Sequence, residues 1–424
     1  MIIIDLFMKQ LISDILLSIS LGKCYKIGIN ETYSIQKFTR VRYQVGESRL
    51  TRVSNFCLAV PQCSLQLLSN DSNSRMPDYF VTAGYGLDHY AVKEINLLSD
   101  TEITEVITGK VFFTSLGDPA ELLSLKTVER LFVQVLHVKI DSNVEINAIE
   151  NWIQDQIAGE NILWTNILDT FKKFVNIDPH SQIKFRVNSR LTGKFRKPEL
   201  YLKVSNIVGK IFSNHFDVLS ELYQPDLEIF FHLNESYLTV GLPLTKRPLS
   251  DRSYLKHIAV RSTVCCALCI AANVTIDDSV LDPMCGAATI LIESIKQFNV
   301  KWAVGIDNDV NQLKLAKENL ERSGAEVALI LGDSTKCFVK ETFDVVICDV
   351  PFGRKFGTQN QIKPLLKSVL KTIDFLLKAN GRVVILISEE LCEFVLDSTK
   401  NWNLIEEKPL RLGRLSAVIL SWRK

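Results

Sequence analysis

The sequence lacks several features that would each have pointed to a partner. Its 49 lysines and arginines meet 48 aspartates and glutamates, a formal net charge of +1. No global basic field marks the chain as a general polyanion binder, so any basic face must be local. No apolar run reaches the ~18 residues a membrane-spanning helix needs. Asp5, Lys9, Gln10 and Asp14 interrupt the apolar stretch of residues 1–22. That stretch has no basic leader before it and no small-residue cleavage site, which argues against a secretory signal. The ten cysteines are scattered. Cys265, Cys266 and Cys269 form a C-x-x-C with neither a second cysteine pair nor a histidine pair nearby, so core packing on an apolar helix outweighs a metal or redox role. Scattered, reduced thiols suit a cytosolic or nuclear protein. The dinucleotide fingerprint is also missing. Gly286 stands alone, with Ala287 and Ala288 after it, which argues against a pyrophosphate ligand and against NAD.

What is present is organised around residues 280–357. Leu281-Asp282-Pro283-Met284-Cys285-Gly286, Gly305-Ile306-Asp307, Gly332-Asp333 and Cys348-Asp349-Val350-Pro351-Phe352-Gly353 each follow an apolar run of strand length. In an open parallel sheet, ligands bind at those strand ends. Strands over 280–282, 302–307, 327–331, 343–349 and 382–388 alternate with helices over 289–298, 309–323, 362–377 and 391–398. That alternation predicts a doubly wound α/β sheet, and strands around Leu404 and Val418 suit an antiparallel edge. A helix over 255–273 leads in, after a boundary marked by Pro243 and Pro248.

With 424 residues, two or three domains are expected. Residues 1–77 form an uncertain extension. Its first 22 residues place apolar side chains on one helical face, and residues 69–75 read as a polar linker. From Tyr79 the order strand, helix, hairpin, helix (122–128), strand (130–140) is ferredoxin-like. Residues 78–176 form this module, closing with one or two helices that bury Trp152 and Trp164. Residues 177–245 form a second small α/β module and residues 250–424 the catalytic domain. The second module carries Lys184, Arg186 and Arg190 on an alternating strand, then Lys194, Arg196 and Lys197 in a loop, with Glu199 the only acid close in sequence. Such an edge suits an RNA phosphate backbone, though a solvated strand face explains it equally well.

Asp282 and Gly286 sit where a helix N-terminus opens, a position suited to a ligand's carboxylate. Asp307 lies where an acid bonds ribose hydroxyls. Asp333 is placed for an adenine amine, or else caps the turn made with Ser334 and Thr335. Asp349 can accept a hydrogen bond from a poorly nucleophilic exocyclic amine and take its proton during transfer, general-base help worth ~10²–10⁴ in rate. Pro351 stiffens that turn, and Phe352 can stack on a base.

These motifs resemble class I methyltransferases that use S-adenosylmethionine, in the branch acting on RNA guanine N2. Residues 79–84, 109–113 and 129–132 resemble the ferredoxin-like part of THUMP-domain RNA methyltransferases, and residues 185–190 and 227–233 resemble the THUMP module. The resemblance covers roughly residues 79–424. It implies a Rossmann-like catalytic domain behind RNA-binding modules. It assigns Asp282 and Gly286 to the methionine end of the cofactor, Asp307 to the ribose, Asp333 to the adenine, and Asp349, Pro351 and Phe352 to the target base. It further implies structured RNA as substrate, most nearly U6 small nuclear RNA in splicing, with tRNA as the alternative. A small zinc-binding activator subunit, a nuclear setting with the cytoplasm as second choice, and no metal in the chemistry also follow from it. One departure stands out. Ala288 replaces a glycine of many relatives, is tolerated if its torsions are right-handed, and is placed to crowd the cofactor. A catalytically weakened RNA-binding protein is the rival reading.

Overall fold

The computed structural model describes residues 76–141, 145, 148–158, 164–175, 182–216, 218–336, 340–350 and 359–424. The amphipathic segment expected over 1–22, the linker over 69–75, and Pro351, Phe352 and Gly353 lie outside the described residues.

The first half opens with β1 (Asp78–Thr82), α1 (Asp88–Ile95), β2 (Thr101–Ile107), β3 (Lys110–Ser115), α2 (Pro119–Leu123) and β4 (Arg130–Lys139). This is the expected ferredoxin-like order, with β2-β3-β1-β4 side by side and antiparallel. The second helix differs from the expected 122–128. Asp118 accepts from Ala120 N at its N-cap and Pro119 starts the helix. Both fix the entry, since proline at the first position gives up only a donor that has no helical partner.

Two helices follow, α3 (Ile149–Ala158) and α4 (Trp164–Phe174). Trp152 is half-buried against the core, not fully enclosed. Then come β5 (Ile183–Leu191), a short 3₁₀ turn, α5 (Pro198–His215), β6 (Val218–Ser220), β7 (Leu227–Leu233) and β8 (Tyr237–Pro243). Asn234 Oδ1 accepts from Ser236 N and Tyr237 N, which closes the β7–β8 turn. β8 pairs with β4, so the two modules share one eight-stranded sheet, ordered β2-β3-β1-β4-β8-β7-β5-β6.

One face of this sheet is covered by helices over a core that includes Val81, Phe113, Leu131, Phe185, Phe212 and Phe231. The other face curls on itself. Lys110 Nζ, on β3, lies 2.7 Å from His232 Nδ1 on β7, although three strands separate them in the sheet. Phe80, Phe112 and Phe132 fill the concavity, with Phe80 stacked on Phe132 at 4.6 Å between centroids. Gly241 permits this, because a Cβ there would lie 2.4 Å from the Phe80 ring.

The chain then crosses to the second half. Leu244 N donates to Leu131 O and Leu249 N to Glu129 O, so the crossing is tied to the first sheet. The expected helix over 255–273 is shorter, α6 (Ser262–Ala271). Residues 252–260 instead spend their polar groups on tertiary partners. Lys256 N and His257 N both donate to Asn319 Oδ1.

The second sheet contains β9 (Ser279–Asp282), β10 (Trp302–Asp307), β11 (Ala328–Leu331), β12 (Phe343–Asp349), β13 (Leu377–Ser388), β14 (Asn403–Leu412) and β15 (Leu415–Arg423). The helices are α7 (Thr289–Phe298), α8 (Val310–Ser323), α9 (Gln359–Leu376) and α10 (Glu389–Ser398). Strand order is β11-β10-β9-β12-β13-β15-β14. The strands run parallel through β13, and β15 and β14 add the antiparallel edge. Nearly continuous apolar stretches such as Val345–Cys348 and Val383–Ile387 are buried on both faces, as helices on each side require. The chain leaves β9 toward β10 on one side and later returns to β12 on the other. The order therefore reverses at β9, and a ligand crevice opens there.

Candidate active site

Asp282, Asp307 and Asp349 end β9, β10 and β12, three adjacent strands at the point of reversal. Strand register alone brings together three acids that lie far apart in the sequence.

Asp282 is 1% exposed, and its carboxylate accepts from Met284 N at 3.1 Å. Burial raises its pKa well above the ordinary carboxylate value, and the neighbouring Asp349 and Asp307 push it the same way. Asp307 Oδ2 accepts from Gly286 N at 2.8 Å and Oδ1 from Asp309 N at 2.9 Å. It thereby joins the loop after β9 to the start of α8. Each oxygen keeps a lone pair for a further donor.

The loop from Pro283 to Ala288 is shaped by close contacts. Cys285 N donates to Ile306 O. Gly305 on β10 allows this approach, since a Cβ there would lie 2.7 Å from Cys285 Sγ. Gly286 has a φ of +50°, and the nearest atom to an added Cβ is Gln312 Oε1 at 3.7 Å, so space lies open above it. α7 begins next, and Thr289 Oγ1 is buried without a partner among the described residues. An open space at a helix N-terminus, with an unused hydroxyl and an acid able to accept from hydroxyls, fits a ligand that carries a carboxylate and a ribose.

Ala288 differs from expectation twice. Its torsions are left-handed (φ 59°, ψ 24°), not right-handed. Its methyl is fully buried in a small cluster with Leu255, Ile292, Ala316 and Ala325, behind the loop. The departure from glycine therefore costs backbone strain, about 1–2 kcal/mol for a left-handed L-residue. It does not crowd the crevice.

Asn319 holds the loop from behind and was not singled out from the sequence. Fully buried on α8, it donates through Nδ2 to Ala287 O and His257 O. Together with the two amides it accepts from, this satisfies the whole side chain. Its signal was an amide on the same helical face as Ala316 and Ser323.

Asp349 is the most exceptional group. Its Oδ1 is buried and has no hydrogen-bond partner among the described residues. Desolvation raises its pKa from 3.8 to about 7. A buried acceptor without a donor costs roughly 1–3 kcal/mol, and such a cost points to a missing donor. Val350 behind it is 2% exposed, and its N–H donates to Leu386 O. Asp333 is exposed and engaged locally. It accepts from Thr335 N and Oγ1 and lies 3.4 Å from Lys336 Nζ, which hold its pKa down. Its described contacts are those of a turn cap.

The six cations lie on β5 and the loop after it, but acids distant in sequence reach them. Arg186 is ion-paired with Glu228 on β7 and donates to Leu222 O. The Lys184 amide donates to Asp226 and the Lys194 amide to Glu235. The expectation that Glu199 is the only nearby acid is thus corrected, because the β5–β7 pairing brings these three alongside. Arg190, Lys194 and Arg196 remain exposed, with the Lys194 ammonium 5.2 Å over the Phe195 ring. Among the described residues no cluster of three or more His, Cys, Asp or Glu could hold a metal, and no helix is long and apolar enough to cross a membrane.

Residues 250–417 match the family model described as "RMKL-like, methyltransferase domain". The catalytic half is a methyltransferase domain. The chain is similar to the human U6 snRNA (guanine-N(2))-methyltransferase THUMPD2, 28% identical over 398 residues that cover 74% of this chain and 78% of the relative. It is also similar to the tRNA (guanine(6)-N2)-methyltransferase of Methanocaldococcus jannaschii, 23% identical across 80% of this chain and 97% of the relative. Among solved structures, TrmN from Thermus thermophilus superposes with a TM-score of 0.64 at 19% identity, covering 82% of this chain and 99% of the other. That last likeness bears out the fold. The resemblance to THUMP-domain RNA methyltransferases is borne out, and with it the expectation of an enzyme that uses S-adenosylmethionine.

Proposed function

We propose that the protein transfers the methyl group of S-adenosylmethionine to the exocyclic N2 of a guanine in structured RNA. The observation that carries this reading is the Oδ1 of Asp349 at the strand reversal, buried and without a partner among the described residues. A guanine amine would donate to that oxygen. Its lone pair is conjugated into the ring, so it attacks well only as its proton is taken up, and Asp349, titrating near neutrality, is suited to accept that proton. S-adenosylmethionine supplies the activated methyl group. Asp282, Gly286 and Asp307 would hold it, with Thr289 Oγ1 and the α7 N-terminus toward its carboxylate. Asp333 would reach the adenine, for which its turn would have to open. Pro351 and Phe352 would complete the base pocket.

Arg190, Lys194, Arg196 and Lys197 would hold RNA phosphates, which set affinity and register without reading sequence. Lys184 would assist them, and Arg186 would join only by giving up Glu228. The RNA most consistent with the mammalian relatives is U6 small nuclear RNA, and an enzyme acting on it would work in the nucleus. The archaeal relatives, matched over more of this chain, favour tRNA as the second reading. A small zinc-binding activator subunit would accompany the enzyme, as the family resemblance implies. The buried, satisfied Ala288 weighs against a decayed cofactor site. The test is nucleoside mass spectrometry of small nuclear RNA and tRNA from cells with and without the protein. Loss of N2-methylguanosine from U6 supports the first reading and loss from tRNA the second. Unchanged N2-methylguanosine in both refutes the proposal.

A further inference from the structure

The first half meets the second near Lys126 and Glu129, where Arg252 donates to Lys126 O and Arg261 pairs with Glu129, and again where α1 packs on β14. Glu406, on the edge strand β14, accepts from three side chains of the first half. These are His89 Nε2 at 2.7 Å, Tyr90 Oη at 3.2 Å and Lys93 Nζ at 3.2 Å. Its side chain is only 11% exposed. Next to it, Gly86 has a φ of +86°, and a Cβ there would lie 2.3 Å from Pro409 O. Arg411 N donates to Tyr85 O, and its guanidinium lies 5.2 Å over the Tyr85 ring. Leu87 and Tyr90 are buried beside Leu410 in the core of the second half.

We propose that Glu406 is a positioning residue that locks α1 onto β14 and so fixes the RNA-holding edge of the first sheet at a set distance from Asp349. This rests on the proposed RNA reading and adds a mechanical part to it. α1 follows β1, and β5, which carries the cations, lies four strands away in the same continuous sheet. The sheet is therefore a lever. With ~4.8 Å between strands its arm is at most about 19 Å and shorter for the curl that brings Lys110 to His232, so a tilt of roughly 3–6° at the lock moves the far edge by about 1 Å. Misplacement by 1 Å can cost ~10² in rate even when it originates far from the chemistry. Three donors converging on one shielded carboxylate resist such a tilt better than apolar contact alone, because hydrogen bonds constrain direction.

The test compares Glu406→Ala and Glu406→Gln in the full chain, with the activator subunit present. Glu406→Ala should lower kcat on structured RNA ~10–100-fold and spread methylation to neighbouring guanines. Dissociation constants for RNA and S-adenosylmethionine should stay within about threefold, since neither binding surface is touched. Glu406→Gln keeps an oxygen that accepts from Tyr90 and His89 and should recover most of the rate. A lowered Tm with unchanged kcat and unchanged site choice would overturn the proposal and leave Glu406 a stability residue. Equal loss of cofactor affinity would also overturn it. A second readout needs no activity. Spin labels on unnatural amino acids replacing Leu202 and Lys317, both exposed, should give a narrow distance distribution that broadens in Glu406→Ala. Identical distributions would refute the lock. A broadened distribution without any RNA methylation by the unmutated chain would uphold the lock and reject the RNA reading.

Discussion

Replacing Asp349 by Asn separates the cost of burying a charge from its chemical use. The carboxylate titrates at about 7 instead of 3.8 because it is desolvated. Its folded pKa is raised, so the folded state holds the proton more tightly than the unfolded chain. Stability therefore falls as pH rises from about 4 to about 7, and the full cost is present above that window. The rise from 3.8 to about 7 corresponds to roughly 4 kcal/mol at pH 8. At pH 5 only part of that difference applies, roughly 1–2 kcal/mol. Asn is neutral at both pH values, and whatever its amide costs in that site is the same at both. The stability of Asp349→Asn relative to the unmutated protein should thus be about 2–3 kcal/mol more favourable at pH 8 than at pH 5. Urea unfolding of both proteins at the two pH values measures this. Methyl transfer by Asp349→Asn should drop ~10²–10⁴-fold, with cofactor affinity retained. In the unmutated enzyme kcat should rise with pH through about 7, as the basic form accumulates. A pH-independent stability difference would refute the buried-carboxylate argument, and an active Asn variant would refute the base.

Replacing Arg190, Lys194 and Arg196 together by Ala should reduce the slope of log affinity for RNA against log salt by about 2–3. Arg186→Ala alone should leave that slope nearly unchanged, because Glu228 already neutralises it; filter binding across a salt series distinguishes the two. Ala288→Gly relieves left-handed strain of about 1–2 kcal/mol but removes a buried methyl worth about 0.8 kcal/mol and loosens the unfolded chain. Stability should change by less than about 1 kcal/mol. Calorimetric titration should find cofactor affinity unchanged, and a tenfold gain would show that the methyl does crowd the crevice. Gly86→Ala meets Pro409 O and Leu410 at a positive φ. It should destabilise by at least about 2 kcal/mol, and an unchanged unfolding midpoint would contradict the close docking of α1 on β14.

The strands and helices of the catalytic half were legible because their signals are local. Apolar runs buried on both faces, an acid at each run's end and one glycine before a helix need no distant partner to be read. The missing glycines excluded a dinucleotide for the same reason. The helices expected over 122–128 and 255–273 were misjudged where tertiary partners claimed the backbone and side chains, as Asn319 does for residues 256 and 257. Ala288 illustrates the same limit, since its torsions follow from a loop held between Ile306 O, Asp307 and Asn319. The sequence by itself determined which residues can do chemistry and that the catalytic half would form a doubly wound sheet, whereas the joining of the two upstream modules into one sheet came from the β4–β8 pairing. Only the tertiary structure decided how those residues meet. Strand register placed Asp282, Asp307 and Asp349 side by side and left one Asp349 oxygen buried without a partner among the described residues. The β5–β7 pairing set Glu228 against Arg186 and removed it from the exposed basic edge. Such pairings join residues dozens or hundreds of positions apart, and no local pattern records them, because the free energy that selects them arises only when the sheets close.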